Sequence, residues 1–91
     1  MRAAQAAYAR LGAAVASAGS TPCRSAARPD AWHEDVGAEG AASLCAGCPV
    51  LAECRAYAVA AREPHGVWGG LTWSDRRRLA VRRRAEVAAA V

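Results

Sequence analysis

Apolar positions recur along this chain without building a strong stripe, because most of them are alanine. The span Ala3–Ala18 combines high helix propensity with few breakers and predicts a helix. Its face is too weakly apolar to say what it packs on. Ser20, Pro22 and Pro29 punctuate a loop carrying Cys23, and "RPDAWHEDVG" continues it irregularly. Ala38–Leu44 predicts a short helix leading into Cys45. Pro49 suits a first helical position, so "PVLAECRAYAVAARE" reads as a helix to about Glu63, stopped by Pro64 and Gly66. "GVWGG", Gly66 to Gly70, reads as a tight turn. Thr72 with Asp75 three residues on forms a capping box with Asp in place of Glu, opening a last helix through "WSDRRRLAVRRRAEVAAA". The expected fold is all-α: about four short helices, with loops at the cysteines and glycines and no internal repeat.

Composition adds that this bundle lacks a strong core. Leu and Val contribute 5 + 8 = 13 of 91 residues, and Ile and Phe are absent. So few large aliphatic side chains struggle to offset conformational entropy, and a staple is expected: disulfides, a metal or a partner. Charge adds a division of labour. All 12 basic residues are arginine, for a net charge of 12 − 8 = +4. Six of them, set against Asp75 and Glu86, lie from Trp73 onward, so the last 19 residues carry +4 and the rest is neutral. That pattern predicts a body followed by a polyanion-contacting arm. Three spans are expected: 1–21, an N-terminal helical extension; 22–72, the domain holding the cysteines; and 73–91, the basic helix or arm.

The four cysteines, spaced C-x21-C-x2-C-x5-C at Cys23, Cys45, Cys48 and Cys54, are the staple on offer. Compartment bears on their chemistry. "VASAGS" after an alanine-rich stretch has the small residues of a signal-peptide cleavage site, yet Gln5, Tyr8 and Arg10 interrupt the apolar run an exported chain needs. A cytoplasmic location and no membrane span are expected, which disfavours disulfides. Four-thiolate zinc sites usually pair two C-x2-C knuckles; this chain has one, and neither His33 nor His65 has finger-like spacing. A [4Fe–4S] cluster takes one thiolate per iron around a body several ångströms across. Gly47 would let Cys45 and Cys48 turn about one side, and Cys54 would lean back from the following helix, whose N-terminus favours an anionic group. The spacing favours Fe–S, with zinc as the main competitor. Cys45-Ala46-Gly47-Cys48 is also the spacing of thiol–disulfide oxidoreductases, although no βαβ pattern surrounds it.

Cys23-Arg24, "CAGCPVLAEC", "GVWGGL" and "DRRRL" together resemble the WhiB-like family of actinobacterial and phage regulators, over roughly Pro22 to Arg84. The resemblance implies a [4Fe–4S] cluster on Cys23, Cys45, Cys48 and Cys54. It also implies a transcriptional regulator, not an enzyme, that responds to oxygen, nitric oxide or redox state. Its implied partners are the C-terminal domain of the primary sigma factor and promoter DNA, with the chain a monomer or weak dimer. Trp32, Trp68, Gly66, Gly69 and Gly70 would form the sigma-factor interface. Where the family often shows two aromatics and then proline, this chain has Ala31-Trp32-His33, a departure that bears on sigma-factor binding. The alternatives kept are a disulfide reductase using Cys45 and Cys48 in the cluster-free, disulfide-forming protein, and a zinc-stabilised DNA-binding module. The helix Ala3–Ala18 lies outside the resemblance.

Ordinary roles are expected for several conspicuous residues. Trp68 would be both a packing residue and, among glycines, an accessible face. Trp73 and Tyr57 would be packing residues, and His33 and His65 polar loop residues. At about 100° per residue, Arg76, Arg77, Arg83 and Arg84 share one helical sector, while Arg78 and Arg82 lie opposite. Such a helix suits phosphate contact rather than base readout, so all six are candidate DNA-binding residues.

Overall fold

The computed structural model describes residues 2–25, 32–33 and 38–90. The described chain is helical: α1 (Arg2–Ala18), α2 (Pro22–Ser25), α3 (Ala38–Leu44), a 3₁₀ turn (Cys45–Gly47), α4 (Leu51–Ala61) and α5 (Trp73–Ala90). The all-α expectation holds, with one more helix than expected. The parts of "RPDAWHEDVG" at 28–31 and 34–37, Pro29 and Ala31 included, lie outside the described residues.

The extra helix is α2. Pro22 occupies its first position, where a missing N–H costs nothing, and Arg24 N–H donates to Thr21 O at 3.1 Å. Cys23 therefore sits on a helical turn rather than in a loop. A second adjustment concerns Pro49. Cys48, the residue before it, is driven to extended backbone (φ −70, ψ 128), which separates the 3₁₀ turn from α4. The helix then begins at Leu51 rather than Pro49, with Cys54 N–H reaching Val50 O at 2.9 Å.

At its other end, α4 closes through Arg62 in the left-handed region (φ 53, ψ 48). Arg62 N–H donates to Val59 O and Glu63 N–H to Ala58 O, the paired bonds of a Schellman closure. The glycine turn is a tight antiparallel bridge: Trp68 and Leu71 exchange both backbone hydrogen bonds at 3.0 Å. Gly69 (φ 57) and Gly70 (φ 75) take the two positive-φ positions that such a turn needs. The expected capping box is present, with Thr72 N–H donating to Asp75 Oδ2 (3.0 Å) and Asp75 N–H to Thr72 Oγ1 (3.2 Å).

Small residues govern the packing. The buried cluster comprises Trp32, Ala41, Cys45 and Val67, with Cys23, Ala38, Ala42 and Leu51 against it. Separately, α1 packs along α4. Each contributes a buried alanine (Ala7 and Ala58), which permits close approach, and Tyr8 meets Tyr57 with ring centroids 5.4 Å apart. From Ala80 to Ala90 every residue of α5 is exposed, so this half of the basic helix is open to solvent. Among the described residues no helix is long and apolar enough to cross a membrane.

Candidate metal centre

All four cysteines line one cavity of about 470 Å³. Cys23 arrives on α2, Cys45 and Cys48 on the 3₁₀ turn and its end, and Cys54 on the first turn of α4. None is in a disulfide. Thr21, Trp32, Val50, Val67 and Trp68 complete the near wall, and Leu11 and Val15 of α1 close another side. These two α1 residues lie four apart, hence on one helical face; that spacing is visible in the sequence, although its target is not.

Polar contacts reach three of the sulfurs. Trp32 Nε1–H donates to Cys45 Sγ at 3.3 Å, with both residues buried. Thr21 Oγ1 lies 3.3 Å from Cys23 Sγ, with either atom able to donate. Burial pushes the Cys54 thiol up to about 11, a hydrogen bond with the Gly69 backbone opposes the rise, and the other three cysteines add to it. The four sulfurs thus form one electrostatic group. Among the described residues, no three His, Cys, Asp or Glu side chains gather as a single metal ion would need. Four thiols from three elements lining one cavity are a donor set that a zinc ion or an iron–sulfur cluster can take.

The glycine turn is built to lie against α4. A Cβ on Gly69 would sit 2.5 Å from Arg55 N and 2.6 Å from Arg55 Cα, while Arg55 Nε donates to Gly69 O at 3.0 Å. A Cβ on Gly66 would meet Trp32 O at 2.7 Å. These glycines serve backbone contact first. Trp68, half-buried, donates from Nε1 to His65 O at 3.0 Å and meets the Tyr57 ring at 5.4 Å. Gly47 departs from expectation: its φ is not positive and a Cβ there would meet open space, so the Cys45–Cys48 turn does not require glycine.

Two expected site residues have other tasks. Trp32 is only 4% exposed, with its indole packed in the core and donating to Cys45. Arg76 is 6% exposed and does not project with the other arginines. Its Nη1 donates to Gly66 O (2.9 Å) and Leu71 O (2.7 Å), and its Nη2 to Glu63 O (2.9 Å) and His65 O (3.3 Å). It staples the loop between α4 and α5, with both terminal nitrogens engaged by carbonyls. Burial lowers its pKa, while Glu63, Cys54 and Asp75 oppose that shift. No local spacing distinguishes Arg76 from its neighbours; only its packing does. The remaining five stay exposed, Arg78 pairing with Asp75 and Arg77 lying over Trp73. Trp73 is itself 40% exposed, contrary to the packing role expected of it.

Comparison with known proteins places this arrangement. The family model "Transcription factor WhiB" matches residues 18–79, leaving nearly all of α1 outside. The transcriptional regulator WhiD of Streptomyces coelicolor is 54% identical over 50 residues, 55% of this chain and 45% of that protein. The redox-responsive transcriptional regulator WhiB3 of Mycolicibacterium smegmatis is 51% identical over 39 residues, 43% of this chain and 41% of the relative. The probable transcriptional regulator WhiB7 of Mycobacterium tuberculosis is 48% identical over 44 residues, 46% of this chain and 48% of the relative. The chain thus spans less than half the length of these relatives, and no solved structure matches it. With two thirds of its length matched, four thiols around one cavity and the glycine turn set against them, the chain belongs to the WhiB family.

Proposed function

We propose that this chain is a redox-responsive transcriptional regulator whose Cys23, Cys45, Cys48 and Cys54 hold a [4Fe–4S] cluster. The observation that carries the reading is the single cavity lined by all four free thiols. Trp32 supports it by presenting an N–H donor to one sulfur, as cluster thiolates commonly receive. When bound, the cluster would supply a one-electron centre open to attack by oxidants and nitric oxide. The protein's part is to hold four thiolates from three elements, orient Cys45 through Trp32, and shield one side with Leu11 and Val15.

Two contacts complete the proposal. Trp68 and the turn at Gly66, Gly69 and Gly70 adjoin the cavity and would meet the C-terminal domain of the primary sigma factor, so that loss of the cluster loosens that surface. Arg77, Arg78, Arg82, Arg83 and Arg84, exposed on α5, would lie against promoter phosphates. Regulation of transcription is what the printed names of WhiD and WhiB3 state of those proteins, and it comes to this chain as part of the proposal.

The test is anaerobic purification with a UV–visible spectrum and metal and sulfide analysis, followed by sigma-factor pulldown. About four irons per chain, a broad visible band and cluster-dependent pulldown are expected. One tight zinc and no colour, or catalytic disulfide reduction by the metal-free chain, would overturn the reading.

A further inference from the structure

A second concavity, of about 400 Å³, lies where the end of α4 meets the first half of α5. Its charged lining is Arg62, Glu63, Arg76, Arg77, Arg83 and Arg84, five cations against one carboxylate. The carboxylate is partly engaged, since Glu63 Oε1 accepts from Tyr57 OH at 2.8 Å. No cysteine lines this cleft.

Three features separate it from an ordinary solvated basic face. Trp73 forms part of the wall while remaining 40% exposed, with the Arg77 guanidinium 4.8 Å from its ring centroid. With one face covered by the guanidinium, the indole's other face is a stacking platform for a flat π-system. Arg76, buried and committed through both terminal nitrogens, keeps Nε as a buried donor with no acceptor among the described residues. Finally, Arg62 holds a left-handed conformation in which glycine would be unstrained, and its side chain lines the cleft.

A simple anion would explain the cations but not the exposed indole. Duplex DNA offers phosphates, but its bases are stacked within the helix and cannot lay a ring on Trp73. An unpaired nucleotide offers a phosphate and a free ring face together. We propose that the α4–α5 cleft seats an unpaired nucleotide of a nucleic-acid strand, its phosphate among the arginines and its base stacked on Trp73. This deepens the DNA-contact half of the proposed function and is independent of the cysteine cavity.

The experiment measures fluorescence anisotropy of the full chain with a short labelled oligothymidylate and with a duplex of equal length, at one salt concentration. Thymidine monophosphate and inorganic phosphate serve as competitors. Stacking predicts that Trp73→Ala weakens single-strand binding by about 5- to 100-fold. Trp73→Phe retains most of the affinity, and duplex binding is unchanged in both variants. Thymidine monophosphate should displace the strand at concentrations where inorganic phosphate does not. Arg62→Gly, which relieves the backbone while removing a cleft cation, should weaken single-strand binding about tenfold, and it carries the test if Trp73→Ala loses its far-UV helix signal. Unchanged single-strand affinity in a folded Trp73→Ala or Arg62→Gly, an equal loss for strand and duplex, or equal competition by inorganic phosphate would overturn the proposal. Iron content and sigma-factor pulldown, read on the same samples, keep failure here distinct from failure of the cluster reading.

Discussion

Trp32 is tied at both ends to the cysteine site. Its Nε1–H donates to Cys45 Sγ at 3.3 Å, and its carbonyl accepts from Val67 N–H at 2.6 Å, one residue before Trp68. The indole thereby couples the sulfur environment to the glycine turn. Trp32→Phe keeps an apolar ring and removes the donor. It is expected to cost about 1 kcal/mol in thermal or denaturant unfolding. Hydrogen bonds to cluster sulfurs raise reduction potential, so the variant's potential, followed spectroelectrochemically, should fall relative to wild type.

Arg76 is expected to behave unlike the other arginines of α5. Its planar fork meets four carbonyls between Glu63 and Leu71, and removing it strips a donor from each, leaving His65 O and Leu71 O only their bonds from Trp68. Arg76→Met should destabilise by about 3 kcal/mol, and Arg76→Lys should recover little, because an ammonium cannot reproduce the fork. Arg83→Ala, at an exposed position, should leave stability unchanged within about 0.5 kcal/mol while weakening duplex binding. Chemical denaturation and an anisotropy titration separate the two effects.

Gly69 and Gly47 make a matched pair. Gly69→Ala combines a left-handed φ of 57 with a Cβ 2.5 Å from the Arg55 backbone nitrogen, on the helix that carries Cys54. It should cost about 2–4 kcal/mol and loosen the cysteine cavity, read as faster alkylation of Cys54 in the metal-free protein. Gly47→Ala meets open space and should lie within about 0.5 kcal/mol of wild type, although it sits between two of the cysteines.

The start of α5 should loosen in acid. Hydrogen bonding to Thr72 N–H, with Thr72 Oγ1 and Arg78 assisting, holds the Asp75 carboxyl below the usual carboxylate range. A depressed folded-state pKa contributes stability that is present above the unfolded value and lost as pH falls through the folded one. The loss should therefore begin below about pH 4. Asp75→Ala should cost about 1 kcal/mol at neutral pH and flatten the acid limb of stability followed by far-UV circular dichroism.

Local chemistry was readable without the fold. Proline and alanine patterning, the Thr72–Asp75 box and the glycine pair each specify backbone over a few residues, and the helices at Ala38–Leu44 and through Trp73–Ala90 lie where that patterning places them. The cysteine spacing likewise pointed to one joint site, because sulfur is scarce and its chemistry narrow. At Pro49 and Cys23 the structure differs from local patterning by one turn or less, the scale at which a proline can serve either a turn or a helix start. What only tertiary structure decided is which of several chemically identical side chains faces inward. Six arginines of α5 share one composition, but Arg76 is the one whose fork reaches the carbonyls of the loop after α4, so one guanidinium is buried and five remain at the surface. Three tryptophans likewise separate into a buried donor to Cys45, a half-buried neighbour of Tyr57 and an exposed ring in a basic cleft. Residue type sets what a side chain can do, while packing between distant segments sets its partner, and that pairing is a long-range property no local spacing encodes.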